Sequence, residues 1–154
     1  MKVIIKIVLP FFCIFLFSNC NKDIDPCEEY PDVCEKLIRD WEIETLTING
    51  IDSLPSFMTN PTYCLTYRFE HLSGNHYLLC YDCVGNAPSH QYWGDWILGG
   101  KYDRLFFNVF NPYQENPILN DNGSFWTIEQ LTDNQLWLRT TNENSDYVVH
   151  FKAK

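Results

Sequence analysis

The chain has 154 residues, with 11 basic side chains against 20 acidic ones and a formal net charge of −9. An acidic chain without a basic patch is repelled by a phosphate backbone, which excludes nucleic acid as a partner. The length suits one domain with a single sizeable core.

The chain opens on a targeting segment. Lys2 and Lys6 flank the start of an apolar run, Ile7 to Phe17, which ends at Ser18-Asn19-Cys20 before the polar stretch Asn21-Lys22-Asp23-Ile24-Asp25. Eleven apolar residues are too few to span a bilayer stably but suit the apolar region of a secretory signal. A cysteine closing such a segment resembles the lipobox of bacterial lipoproteins. The resemblance implies that residues 1–19 are removed and that Cys20 becomes the lipidated first residue, a membrane partner supplied by the chain itself. Its three acyl chains exceed the two signals that stable anchoring needs. Asn21 is not the Asp that retains lipoproteins in the inner membrane, so the implied location is the outer membrane. Lys22-Asp23 with Asp25 also resembles a short tract that carries some lipoproteins to the cell surface. Loss of residues 1–19 removes Lys2 and Lys6, leaving 135 residues and a charge of −11.

Residues 20–30 read as the lipidated cysteine and a spacer, and 31–154 as one domain. Its first element is a short helix over Pro31–Arg39: Pro31 suits the first helical position, Asp32 and Glu35 lie near the positive end, and Lys36 and Arg39 near the negative end. Val33, Leu37 and Ile38 share a face, so the helix is expected to cover one end of a β structure. From Trp41 onward, apolar and β-branched runs at 41–48, 63–71, 76–83, 93–98, 102–110, 125–131, 136–141 and 146–153 read as strands. Ser73-Gly74-Asn75, Gly99-Gly100, Asp133-Asn134 and Asn142–Ser145 punctuate them as turns. Alternation is clear in Tyr63, Leu65, Tyr67 and Phe69, in Leu105, Phe107 and Val109, and in Tyr147, Val149 and Phe151. Eight short strands in series predict an all-β, eight-stranded antiparallel up-and-down barrel, whose closure removes exposed edges.

Two segments share the spacing W-x-I-x-x-L: Trp41–Leu46 and Trp126–Leu131. Trp and Ile two apart face one side of a strand, and Leu three further on returns inward only across a bulge. With the hairpin into Leu136-Trp137-Leu138, these segments resemble the first strand and late hairpin of bacterial lipocalin-like lipoproteins, small calycin-like barrels behind a lipobox. The resemblance covers about residues 38–154 and implies a lipocalin-like barrel. Where lipocalins carry Gly two residues before the Trp, this chain has Arg39.

In a meander, alternate connections lie at the same end. Connections one, three and five are long (Asn49–Thr62, Val84–Tyr92 and Asn111–Ser124), and two, four and six are tight. One rim therefore gathers the irregular backbone, where binding usually resides on a rigid scaffold. The anchored N-terminus reaches the first strand from the other end. On that rim, Trp93 and Tyr113, with Trp96, are candidate stacking surfaces, and Gln91, Asp95 and Gln114 candidate hydrogen-bonding groups, for a small molecule or glycan. Trp96 heads a strand and reads rather as core, while Trp93 and Tyr113 read as exposed. The interior is expected to be filled: an eight-stranded barrel holds side chains or one small ligand, and Tyr67, Phe69, Phe107, Trp126 and Phe151 compete for that space.

Five cysteines remain besides Cys13 and Cys20. In an exported protein they are disulfide candidates. A two-residue turn at Ser73-Gly74 sets Cys64 opposite Cys83; a three-residue turn does not. Cys27 and Cys34 cannot bridge within one helix but can if Cys27 precedes it and folds back. Cys80-Tyr81-Asp82-Cys83 has redox spacing but lies in a strand, without the helix start that stabilises a thiolate. His71, His76, Cys80 and Cys83 are donors in sequence proximity, yet strand parity puts Cys83 on the opposite face from His76 and Cys80, so no metal site is expected from them. No G-x-S-x-G elbow or H-E-x-x-H occurs, so neither an enzyme nor a cofactor is expected. The resulting expectation is a tethered binding module; the alternative is an envelope structural or inhibitor protein that binds another protein.

Overall fold

A computed structural model describes residues 25–59, 64–72, 74–83, 91–101, 103–109, 125–142 and 144–154; for 80–83, 91–93 and 109 it describes the backbone alone. Eight strands form the predicted barrel: β1 (Asp40–Ile48), β3 (Cys64–Leu72), β4 (Asn75–Cys83), β5 (Gln91–Gly99), β6 (Arg104–Val109), β7 (Phe125–Leu131), β8 (Gln135–Asn142) and β9 (Ser145–Ala153). All neighbours are antiparallel and follow chain order, and β1 pairs with β9 to close the sheet. A two-residue strand, β2 (Ile51–Asp52), folds back on β1 as an extra. Asn49 and Gly50 form that reversal, both at positive φ (53° and 75°). A two-residue hairpin turn needs this backbone, and Asn-Gly provides it with little steric cost.

Both W-x-I-x-x-L segments carry the bulge their spacing requires. The register of β1 against β9 shifts between Ile43 and Thr45, and that of β7 against β8 between Ile128 and Gln130. On β1 the shift leaves Glu44 and Thr45 exposed in succession while Trp41, Ile43 and Leu46 all point inward. On β7, Trp126 is buried, and Ile128 and Leu131 pack partly buried against the same core. The interior is solid. Tyr67, Phe69, Leu78, Trp96, Leu105, Leu138 and Phe151 are fully buried beside Trp41 and Trp126, and Phe69 meets Trp96 and Phe107 edge-on at 5.8 and 5.9 Å. Side chains thus fill the barrel, as expected for eight strands.

The two ends differ in construction. At one end β3–β4, β5–β6 and β7–β8 are joined by connections of two, four and three residues. The connections β1–β3, β4–β5 and β6–β7 belong to the other end and run over 49–63, 84–90 and 110–124, together with the tight β8–β9 turn. The first long connection holds β2 and a four-residue helix, α3 (Leu54–Phe57), whose Phe57 is buried in the core.

Two helices cover the tight-turn end: α1 (Pro26–Glu29) and α2 (Pro31–Leu37). This corrects the expected single helix and spacer, because residues 26–29, read as linker, are helical. Pro26 and Pro31 each open a helix, and Pro31 cannot continue α1 because it lacks the N–H. Leu37 and Cys34 plug the barrel, and the Trp41 indole N–H donates to the Leu37 carbonyl at 3.0 Å. Arg39 ties this plug to the turns: its guanidinium donates to the carbonyls of Asp133 and Glu35 and lies 5.6 Å from the Trp41 ring. The residue that departs from the lipocalin pattern therefore clamps helix to barrel.

Candidate functional site

Of the rim residues singled out in the sequence, Tyr113 and Gln114 lie outside the described residues, as do the side chains of Gln91 and Trp93. Their backbone is informative for Trp93. Leu78 pairs with Gly94 and Leu79 with Tyr92, so Trp93 is the extra residue of a bulge on β5, a device that re-aims side chains at sheet margins. Asp95 lies opposite Tyr77 and Asn108 and alternates with inward-facing Gly94 and Trp96, which puts it on the outer wall. Trp96 is core: it is fully buried and its indole N–H donates to the Glu70 carbonyl at 3.1 Å. Burial with a satisfied N–H makes Trp96 a packing residue and removes it from the set of rim contacts.

A compact polar cluster lies at the opposite end. All eight registered pairs of β3 with β4 follow from the two-residue turn, including Cys64 with Cys83 and His71 with His76. Cys64 is disulfide-bonded, with Cys83 its direct cross-strand backbone partner. His71 continues the inward line of Tyr67 and Phe69, and His76 that of Leu78. The two imidazoles stack at 4.8 Å, and His76 meets the Trp96 ring edge-on at 4.5 Å. They form the polar top layer of the core, just beneath α1.

Helix α1 brings Asp25 and Cys27 onto this pair. Asp25 caps the helix, its Oδ1 accepting from the Cys27 N–H at 2.9 Å. Its Oδ2 accepts from His71 Nε2 at 2.7 Å, and its Oδ1 lies 3.3 Å from His76 Nε2. Cys27 Sγ stands 3.5 Å from the same His76 Nε2. The Cys27–Cys34 disulfide links α1 to α2 with 5.4 Å between Cα atoms, the fold-back arrangement that the sequence required for these two to pair. Burial pushes the Asp25 carboxyl up, but the Cys27 N–H and the hydrogen bond from His71, with the charges of both histidines, outweigh it and hold the group below its ordinary value. Burial also dominates at His76, pushing its pKa down against the pull of Asp25. The cluster is thus a carboxylate facing two imidazole Nε2 atoms, with a sulfur beside them, all four donor atoms within 4.8 Å of one another.

Sequence reasoning reached half of this set. It weighed both histidines as donors, but with Cys80 and Cys83, because Asp25 and Cys27 lay in a presumed spacer. A second polar feature lies near it. An open depression of 340 Å³ is lined by Ile38, Arg39, Asp40, Arg68, Phe69 and Glu70. Its Arg68 forks onto both Asp40 oxygens, with Nη2 to Oδ2 at 2.7 Å, and lies 3.7 Å from Glu70. Arg68 is paired with Asp40 and Glu70, and Arg39 is held by backbone carbonyls, which makes the depression a structural seam between β1 and β3.

No protein-family model and no curated protein matches the chain. A solved structure, the crystal structure of an uncharacterized protein from Bacteroides eggerthii DSM 20697, aligns with 77% of this chain and 99% of its own at 14% identity and a TM-score of 0.40.

Proposed function

We propose that this protein is a lipid-anchored binding module of the bacterial outer membrane that presents its long-connection rim to a small ligand or glycan. The observation that carries the reading is the asymmetry of the barrel: three long connections belong to one end, while tight turns and the α1–α2 plug close the other. Cys20 precedes Asp25 by five residues, so the tether leaves from the plugged end and the rim points away from it. With the interior filled by side chains, a ligand has to sit at the mouth and not in the barrel.

A specific observation favours a second reading, an envelope protein that binds another protein. Ile97 and Phe125 are each 48% exposed on the outer wall, and Phe106 joins them, its ring 5.4 Å from that of Phe125. An apolar patch on the wall suits a protein partner better than a sugar.

Native mass spectrometry of the protein purified from its own host tests both readings. The expected species begins at Cys20, carries acyl chains there, and retains a small ligand. Substituting Trp93→Ala with Tyr113→Ala should weaken that ligand at least about tenfold, the loss of a central aromatic in a small site. A retained protein partner whose binding is lost in Phe125→Asp, with both rim variants unchanged, would move the site to the outer wall. A chain still carrying residues 1–19 would overturn the anchor.

A further inference from the structure

The geometry points to a redox-controlled metal site at the plugged end: Asp25, Cys27, His71 and His76 form a four-donor site for a zinc-type divalent cation, which closes around the ion when the Cys27–Cys34 disulfide is reduced. This goes beyond the binding reading above and is independent of it, since the rim lies at the other end of the barrel.

Four observations support the site. First, the donors are of the right type and number: two imidazoles, a carboxylate and a sulfur make a tetrahedral set that suits zinc, whose ligands are N, S and O. Second, the donor atoms are already gathered, all within 4.8 Å of one another, so small side-chain shifts suffice to close them on an ion. Bonds of 2.0–2.3 Å to a tetrahedral ion separate its ligands by roughly 3.3–3.8 Å, and the atoms here stand 2.7, 3.3 and 3.5 Å apart. Third, the imidazoles are held before any ion arrives. Each sits on a paired strand position of one hairpin, His76 rests against Trp96, and both offer Nε2 to the same carboxylate. Fourth, the cluster is partly buried, with side-chain exposures of 23% for His71, 11% for His76 and 15% for Asp25, which limits competition from water.

Cys27 decides how complete the site is. In the disulfide its sulfur is bonded to Cys34 and is not a thiolate, so Asp25, His71 and His76 offer three ligands. Two electrons and two protons from a dithiol reductant convert the bridge to two thiols, the reductant leaving as its own disulfide. Cys27 then gives its thiol proton to solvent as the thiolate binds the ion. The sulfur has little distance to cover, because Cys27 stays anchored through its N–H to Asp25. The bound ion would then fasten α1 directly to the β3–β4 hairpin, where the disulfide had fastened α1 to α2.

The test uses the full protein, metal-free, as disulfide-intact wild type, as Cys34→Ser (which frees Cys27 and spares the disulfide at Cys64), and as Cys27→Ser/Cys34→Ser. Each is titrated with Co2+ for spectra and with Zn2+ against a chromophoric chelator. Cys34→Ser should bind one ion per chain, with tetrahedral visible bands and a near-ultraviolet thiolate-to-cobalt band. Wild type and the double variant should lack the thiolate band and bind Zn2+ at least about tenfold more weakly. Adding His71→Gln or His76→Gln to Cys34→Ser should each weaken Zn2+ by at least about tenfold, with far-ultraviolet circular dichroism reporting that the barrel is intact. Failure of Cys34→Ser to bind one ion, equal affinity in wild type, or a thiolate band that survives both histidine variants would each overturn the site. The spectrum and stoichiometry of Cys34→Ser decide the matter even if a histidine variant fails to fold.

Discussion

Replacing Trp41 by Ala is expected to destabilise the barrel by about 3–5 kcal/mol, the range for emptying a buried tryptophan site. Trp41 is fully buried and sits where β1 is flanked on both sides, opposite Tyr67 of β3 and Ala153 of β9. It also supports the plug, because its indole N–H donates to the Leu37 carbonyl at the end of α2. Trp126→Ala should cost a similar amount, since that ring is buried to the same degree. The two positions should separate under a gentler change. Trp41→Phe loses a hydrogen bond worth about 1 kcal/mol as well as ring volume. The Trp126 indole nitrogen is buried with no hydrogen-bond partner among the described residues, so Trp126→Phe removes a polar group that the core does not satisfy. Urea unfolding followed by circular dichroism measures all four, with Phe125→Ala on the outer wall as a control that should move the midpoint little. Equal losses for the two Phe variants would mean that the Leu37 bond contributes nothing, and small losses for both Ala variants would remove the tryptophans as anchors.

The barrel was legible because its signals are local and repeated. The predicted strand limits fall within two residues of the observed ones, since period-two alternation and turn residues act over a few positions. The W-x-I-x-x-L spacing even located both bulges: a face that goes inward, inward, then inward again three residues later has no other way to stay in register. Short elements held by contacts from elsewhere were not legible. Helix α3 has four residues, too few for a periodic signal, and Phe57 buried in the core is what holds it. The signal for strand β2 lies in Asn49-Gly50, a hairpin turn that sequence alone does not separate from the start of a loop.

The same distinction divides the candidate sites. The hairpin arithmetic that set Cys64 opposite Cys83 also set His71 opposite His76, so the imidazole pair was available from sequence. Nothing local brings Asp25 to it. That approach depends on α1 ending at Glu29, on the bridge to Cys34 and on the docking of α2, and the last two are tertiary events. For Trp96 the position at the head of a strand is the better guide than the aromatic-rich composition of 90–96: Trp96 and Leu98 share parity, and both are inward and buried.

The remaining large effect concerns the membrane. Cys20→Ala is expected to abolish labelling by a fatty-acid probe, because it removes the thiol that would carry the lipid. The proposed anchor would also set an orientation. Asp25 follows Cys20 by five positions, a stretch that reaches at most about 18 Å even when fully extended, and Asp25 is pinned to the β3–β4 hairpin through His71. With a lipid at Cys20, the plugged end would be confined near the bilayer surface while the β8–β9 turn lies at the far end of the barrel. Spin labels at Asp133 in the β7–β8 turn and at Asn144 in the β8–β9 turn, both exposed positions, measure this directly. A lipid-soluble relaxing agent should act more strongly on the label at Asp133, and a water-soluble one more strongly on that at Asn144. Equal responses would mean that the barrel tumbles on its tether, and a reversed order would put the long connections, and any ligand they bind, against the membrane.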